Sequence, residues 1–268
     1  MGTVVDTPFG DAVLEVPLPR APLVFVVAQA RFERIASIAS EEFVAGFQEA
    51  LRPAYPLMRH EQQAGILITP DGAVAQTEGG AVWRLDEQPA GWQVTLSPDS
   101  VALATSTYTS RADFITRLDG VLEATQRHLG VRFCERLGIR YVDRVVHPQL
   151  DRIEDLVRQS LLATVITPLG EDGVEVVHSF SDSTYHLSDE TALHARWGVL
   201  PAQATLDPAL APAEQRAWIL DIDAFTRGRE RFERARLVAK AEFLAQRVYR
   251  FFRWAVQDEF LRAFGGAA

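Results

Sequence analysis

The chain has 268 residues, of which 47% are hydrophobic and 24% charged, with a formal net charge of −9 and one cysteine, Cys134. This is globular composition, long enough to bury a core unaided, and it leaves no intramolecular disulfide. The acidic balance disfavours nucleic acid, no window reaches the ~18 uninterrupted apolar residues of a spanning helix, and the N-terminus lacks a signal-peptide pattern, so a cytoplasmic protein without a membrane segment is expected.

Residues 1–22 are punctuated by proline and read as extended. LVFVVAQARF at 23–32 is a valine-rich run of strand length. Ser40 then precedes a helical pattern with Phe43, Phe47, Ala50 and Leu51 on one side, closed by Pro53 and Pro56. Residues 60–108 read as a meander of four strands, with turns expected at Pro70-Asp71-Gly72, Pro89-Ala90-Gly91 and Ser97-Pro98-Asp99. Ser110 caps a helix over 111–129, and Gly130 stops it. LGIRYVDRV, 137–145, follows as a strand.

The remainder begins near Pro148 with LDRIEDLVRQSLL, read as an amphipathic helix. Three strand-like runs follow: EVVHSFSDSTYHL, ALHARWGVL and AWILDIDAF. A long aromatic helix over about 235–264 closes the chain. The second part thus repeats the theme of helix, strands and long helix. Two related halves, 1–147 and 148–268, are expected as two domains or one continuous one. The fold class is α+β, with mainly antiparallel sheets packed against long helices.

Four stretches carry a resemblance: PLPRAPLVFVVAQARF, DSVALATSTYTSRADFITRL, LGIRYVDRV and ILDIDAF. In that order they resemble a sporadically distributed family of bacterial proteins of similar length and unknown function. In that family a tyrosine-containing strand precedes the middle helix, and a Gly-(Leu/Ile)-Arg-Tyr-(Ile/Val)-(Asn/Asp) stretch follows it. Here these are Tyr108 and Gly138 to Asp143. The resemblance leads to asparagine where this chain has Asp143, and to an acidic residue where it has Phe25. It implies no activity and no catalytic residue.

Several residues are candidates for chemistry. Strand alternation puts Arg140 and Arg144 on one face and Tyr141 and Asp143 on the other, and Arg140 with Tyr141 is a candidate site for an anion or a partner peptide. Asp221 and Asp223 share a strand face and form a candidate Mg²⁺ or Mn²⁺ pair, or a pair neutralised by the arginines that follow, Arg227 to Arg236. Trp218, Leu220 and Ile222 take the other face as core. If Asp189-Glu190 is a hairpin turn, His186 and His194 fall opposite each other and become candidate metal ligands. On the last helix, Phe252 and Trp254, accompanied by Arg247, Arg250 and Arg253, are either core or anchors for a partner or a second copy of the chain. Cys134 reads as a small core residue, not a nucleophile. No nucleotide-binding, zinc or nucleophile-elbow motif is present, and no cofactor is expected.

The leading expectation is a non-enzymatic protein-binding component of a small bacterial multi-gene system, with a defence, toxin-neutralising or secretion-associated role. The alternatives are a metal-dependent hydrolase or nuclease using Asp221 and Asp223, and a sensor of an anion or small ligand.

Overall fold

The computed structural model describes residues 5–62, 65–68, 74–77, 80–89, 91–162, 165–167, 169–171 and 173–267. The expected turn at Pro70-Asp71-Gly72 and Ala90 of the next turn lie outside the described residues. The fold is α+β, with an antiparallel sheet of ten strands among the described residues.

In chain order the first elements are β1 (Leu23–Phe32), α1 (Glu41–Leu51), β2 (Leu57–Gln62), β3 (Gly65–Ile68), β4 (Val74–Thr77), β5 (Ala81–Asp86), β6 (Trp92–Ser97), β7 (Ser100–Thr105), α2 (Arg111–Leu129) and β8 (Phe133–Val145). Then follow α3 (Ile153–Leu156), β9 (Ser179–His186), β10 (Thr191–Leu200), β11 (Ala217–Thr226), β12 (Glu230–Arg231), α4 (Arg234–Ala255) and α5 (Asp258–Ala263). The sheet runs β2-β5-β6-β7-β1-β8-β11-β10-β9, with β12 also on β8, and β3 with β4 forms a separate hairpin. The region expected as four strands therefore holds more, because β2 pairs with β5 across the β3–β4 excursion.

The chain divides into two compact units. Unit 1 comprises Met1–Val26, Ile139–Phe225 and Phe243–Ala268; unit 2 comprises Val27–Gly138 and Thr226–Glu242. The break expected at 147/148 falls inside unit 1.

Unit 2 follows local signals closely. The side chain of Ser110 accepts a hydrogen bond from the Asp113 amide at 3.1 Å, and Gly130 ends α2 with φ 64, a conformation that favours glycine. Phe114, Leu118, Val121 and Leu122 on α2 are buried, as are Val44, Phe47 and Leu51 on α1. Ser40 precedes α1 as expected but makes no side-chain cap. Cys134 is buried, and burial, with Glu230 nearby, pushes its thiol up to about 12. It is a core residue.

In unit 1, Trp218, Leu220 and Ile222 are fully buried, as strand alternation requires. The other face of β8 and β11 carries a small core of Val142, Ile219, Leu200 and Leu210. The connection from β10 to β11 covers that face, packing Ala204 and Leu206 against the core. Arg144 holds the same connection by donating to the Ala211 carbonyl at 2.6 Å.

Two helices read as continuous from their periodicity are broken, and one event breaks both. LDRIEDLVRQSLL contains a 3-10 turn (Gln149–Arg152), the four-residue α3 and another 3-10 turn (Gln159–Leu161). The terminal helix stops at Ala255 and restarts at Asp258. At the gap Val157 is extended and forms an isolated antiparallel bridge with Val256. The Arg158 amide donates to the Ala255 carbonyl at 2.9 Å, and the Gln257 amide to the Leu156 carbonyl at 2.8 Å. Backbone groups that would have served the two helices serve each other instead, so tertiary pairing overrides amphipathic pattern.

Candidate functional site

The strand that carries LGIRYVDRV places Arg140 beside β11. Its Nε donates to Asp221 Oδ1 at 2.7 Å and its Nη2 to Asp221 Oδ2 at 2.9 Å, a bidentate fork. Its Nη1 donates to Asp207. Arg196, on β10, also donates to Asp221 Oδ2, from Nε at 3.0 Å and Nη2 at 2.5 Å. Asp221 is only 3% exposed. Burial opposes the charge on Arg140, but its bonds to Asp221 and Asp207 outweigh burial and raise its pKa. Burial works against the Asp207 carboxylate too, yet the Arg140 hydrogen bond holds it below the usual range. Two guanidiniums and two carboxylates close a compensated network.

That network answers two of the sequence expectations. Arg140 is not an open anion site, because carboxylates occupy its donors. Asp221 is not poised for a cation, because both its oxygens accept from arginines. Its partners are Arg140 and Arg196, not the arginines after β11; of those, Arg234 pairs with Asp119 and Arg236 with Glu230. Asp223 and Tyr141 are half-buried.

The histidines also fall differently. The β9–β10 register sets His186 opposite Ala192 and His194 opposite Thr184, so the two are diagonal, not opposed. An Asp189-Glu190 turn of two residues would itself pair His186 with Leu193; the loop observed is 188–190, with Glu190 at φ 60 and the Leu187 amide bonded to the Thr191 carbonyl, which moves the partner one further to Ala192. His194 Nε2 lies 2.7 Å from Asp182 Oδ1. Among the described residues no group of three or more His, Cys, Asp or Glu side chains is placed to hold a metal ion.

Phe252 is buried and packs against Tyr249 and Phe260, with ring centroids 6.0 Å and 5.6 Å away, so it is core and not a surface anchor. Trp254 is half-buried, set edge-on to Phe251, with the Arg158 guanidinium 5.5 Å from its ring centroid.

Unspent binding capacity lies where the two helices break. A cavity of about 600 Å³ opens there in unit 1, lined by Val5, Arg158, Gln159, Arg253, Val256, Gln257, Asp258, Glu259 and Arg262. Gln257 ties the wall together, donating from Nε2 to the Glu154 and Val157 carbonyls at 3.0 Å and 2.9 Å. Arg253 is only 6% exposed; its Nη2 reaches Asp258 at a long 3.4 Å, and its buried Nη1 has no acceptor among the described residues. Arg158 donates to two main-chain carbonyls, Nε to Trp254 at 2.7 Å and Nη2 to Val5 at 2.8 Å. Glu259 accepts from Arg152 at 2.7 Å and Arg262 at 3.1 Å, which holds its pKa below the ordinary carboxylate value.

A guanidinium offers more N–H donors than Arg158 and Arg253 use here. A buried cation without full pairing is costly, so a pocket with Arg253 buried at its wall and half-buried Arg158 beside it favours a bound anion. Three arginines against two carboxylates leave the lining at +1 in a protein of −9. The lining holds no histidine, cysteine, serine or lysine.

Sequence reasoning marked Arg253 only as one of several helix arginines, and passed over Arg158, Asp258, Arg196 and Asp207. One signal was present. Arg253 sits inside FFRWA, a charge flanked by residues that a helix buries on more than one face. Comparison with protein-family models, with curated proteins and with solved structures finds no match. No helix among the described residues is long and apolar enough to cross a membrane.

Proposed function

We propose that this protein works by binding and not by catalysis, and that its recognition site is the arginine-lined cavity between Val157 and α5. In this reading it belongs to the bacterial family that its Gly138–Asp143 stretch resembles and acts in the cytoplasm within a small multi-gene system. The group it takes is an anion, carried by a small molecule or by a protein partner. One observation carries the reading: Arg253 is buried at the wall of a cavity, and among the described residues its guanidinium has no closer acceptor than Asp258 at 3.4 Å. A bound oxyanion would give that guanidinium a closer partner and would meet Arg158 as well.

The test is thermal denaturation in a low-chloride buffer with formate, acetate, phosphate or sulfate, on wild type, Arg158→Gln and Arg253→Gln. At least one anion should raise the wild-type Tm in proportion to the logarithm of its concentration. Both variants should lose most of that rise. An equal rise in all three proteins would refute the assignment.

A further inference from the structure

The same cavity contains a feature that bears on which anion it takes. Resting on the reading above, we infer that its ligand is a monoanionic carboxylate with an apolar branch, and that Asp258 is the residue that selects it over phosphate.

The donors alone do not discriminate, because arginine forks suit carboxylate and phosphate alike. The neighbouring acids do. Glu259 is satisfied, held by two arginines. Asp258 has only the 3.4 Å approach of Arg253, and it stands in the same lining. Its charge therefore remains largely uncompensated beside the donors an anion would use. A carboxylate brings one negative charge, matching the +1 of the lining. Phosphate near neutral pH brings between one and two, and the excess meets Asp258 in a partly desolvated setting where like charges repel strongly. Val5 and Val256 also line the cavity, each 5% exposed, and a branched aliphatic group would cover the apolar surface they leave there. Selectivity would thus come from a repulsive element placed beside an attractive one.

The experiment is calorimetric titration of the full chain at pH 8 with N-acetylvaline, N-acetylvaline amide, inorganic phosphate and a tetrapeptide ending in valine with a free carboxylate. Wild type should bind N-acetylvaline at least about tenfold more tightly than phosphate, and the neutral amide should not bind. Tetrapeptide binding at least as tight as N-acetylvaline would identify a protein-borne carboxy-terminus as the source; weaker binding would identify a free small molecule. Either outcome supports a carboxylate. Asp258→Asn keeps the shape and removes the charge, so its phosphate affinity should rise about tenfold and that of N-acetylvaline, with about half the charge, only about threefold. An unchanged Tm for that variant, measured without ligand, confirms that it is folded. Phosphate binding to wild type as tightly as N-acetylvaline would overturn the selectivity while leaving the anion site standing. No heat with any of the anions would overturn both.

Discussion

Asp143 lies on β8, on the face opposite Arg140, and is 6% exposed. No hydrogen bond or ion pair to its carboxyl is found among the described residues, and burial pushes its pKa up to about 7. Asp143→Asn replaces the carboxyl with a neutral group of the same shape. An acid whose pKa is raised on folding favours the folded state only while it is protonated. The cost of Asp143 is absent below the unfolded-state value of about 4, grows by about 1.4 kcal/mol per pH unit up to about 7, and is flat above that. The full cost is about 4 kcal/mol as an upper figure. The variant should therefore exceed wild type in stability by roughly 1–2 kcal/mol at pH 5 and by about 4 kcal/mol at pH 8. Urea denaturation of both proteins at the two pH values measures this, and taking the difference cancels every other titrating group. A gap between the proteins that does not change with pH would refute the reasoning. Asparagine is also the residue that the family resemblance leads to at this position, which fits a site that tolerates a polar group better than a charge.

Asp221→Ala leaves half-buried Arg196 without a carboxylate and Arg140 with Asp207 alone, and should cost about 3 kcal/mol in denaturant unfolding; a loss below about 1 kcal/mol would mean the network is solvated. Wild type should show no Tm rise with Mn²⁺ or Mg²⁺ beyond that of a K⁺ control at equal ionic strength, since both Asp221 oxygens already accept from arginines. Gln257→Ala removes two bonds that hold the helix break and should lower stability by about 1–2 kcal/mol, and weaken anion binding with it; unchanged binding would separate the break from the site. Cys134 should resist alkylation at pH 8 until the chain unfolds, as a buried thiol pushed up to about 12 must.

Local chemistry was legible from end to end. The Ser110 cap and the left-handed Gly130 put both limits of α2 on the page, and the alternation of AWILDIDAF sorted Trp218, Leu220 and Ile222 from Asp221. The misreadings were non-local. Arg140 finds its partners 81 and 67 residues away, at Asp221 and Asp207, which no spacing rule connects. His186 and His194 are out of step because the loop is centred on Asp189, whereas their opposition needs a loop centred on Glu190. LDRIEDLVRQSLL and the terminal aromatic run each carry a helical period, yet the Val157–Val256 bridge interrupts both. That interruption is where the cavity forms. Local pattern and global structure disagree at the place with unspent donors, as expected where a fold gives up regularity for a site.

The central claim is that Arg140 and Arg196 on the strands are neutralised within the fold, whereas Arg158 and Arg253 at the helix break are available to a ligand. Side-chain guanidinium NMR during a titration with N-acetylvaline tests it most directly. The Arg158 and Arg253 N–H resonances should shift together and saturate, with those of Arg140 and Arg196 unmoved. Movement of Arg140 and Arg196, with Arg158 and Arg253 silent, would contradict the claim.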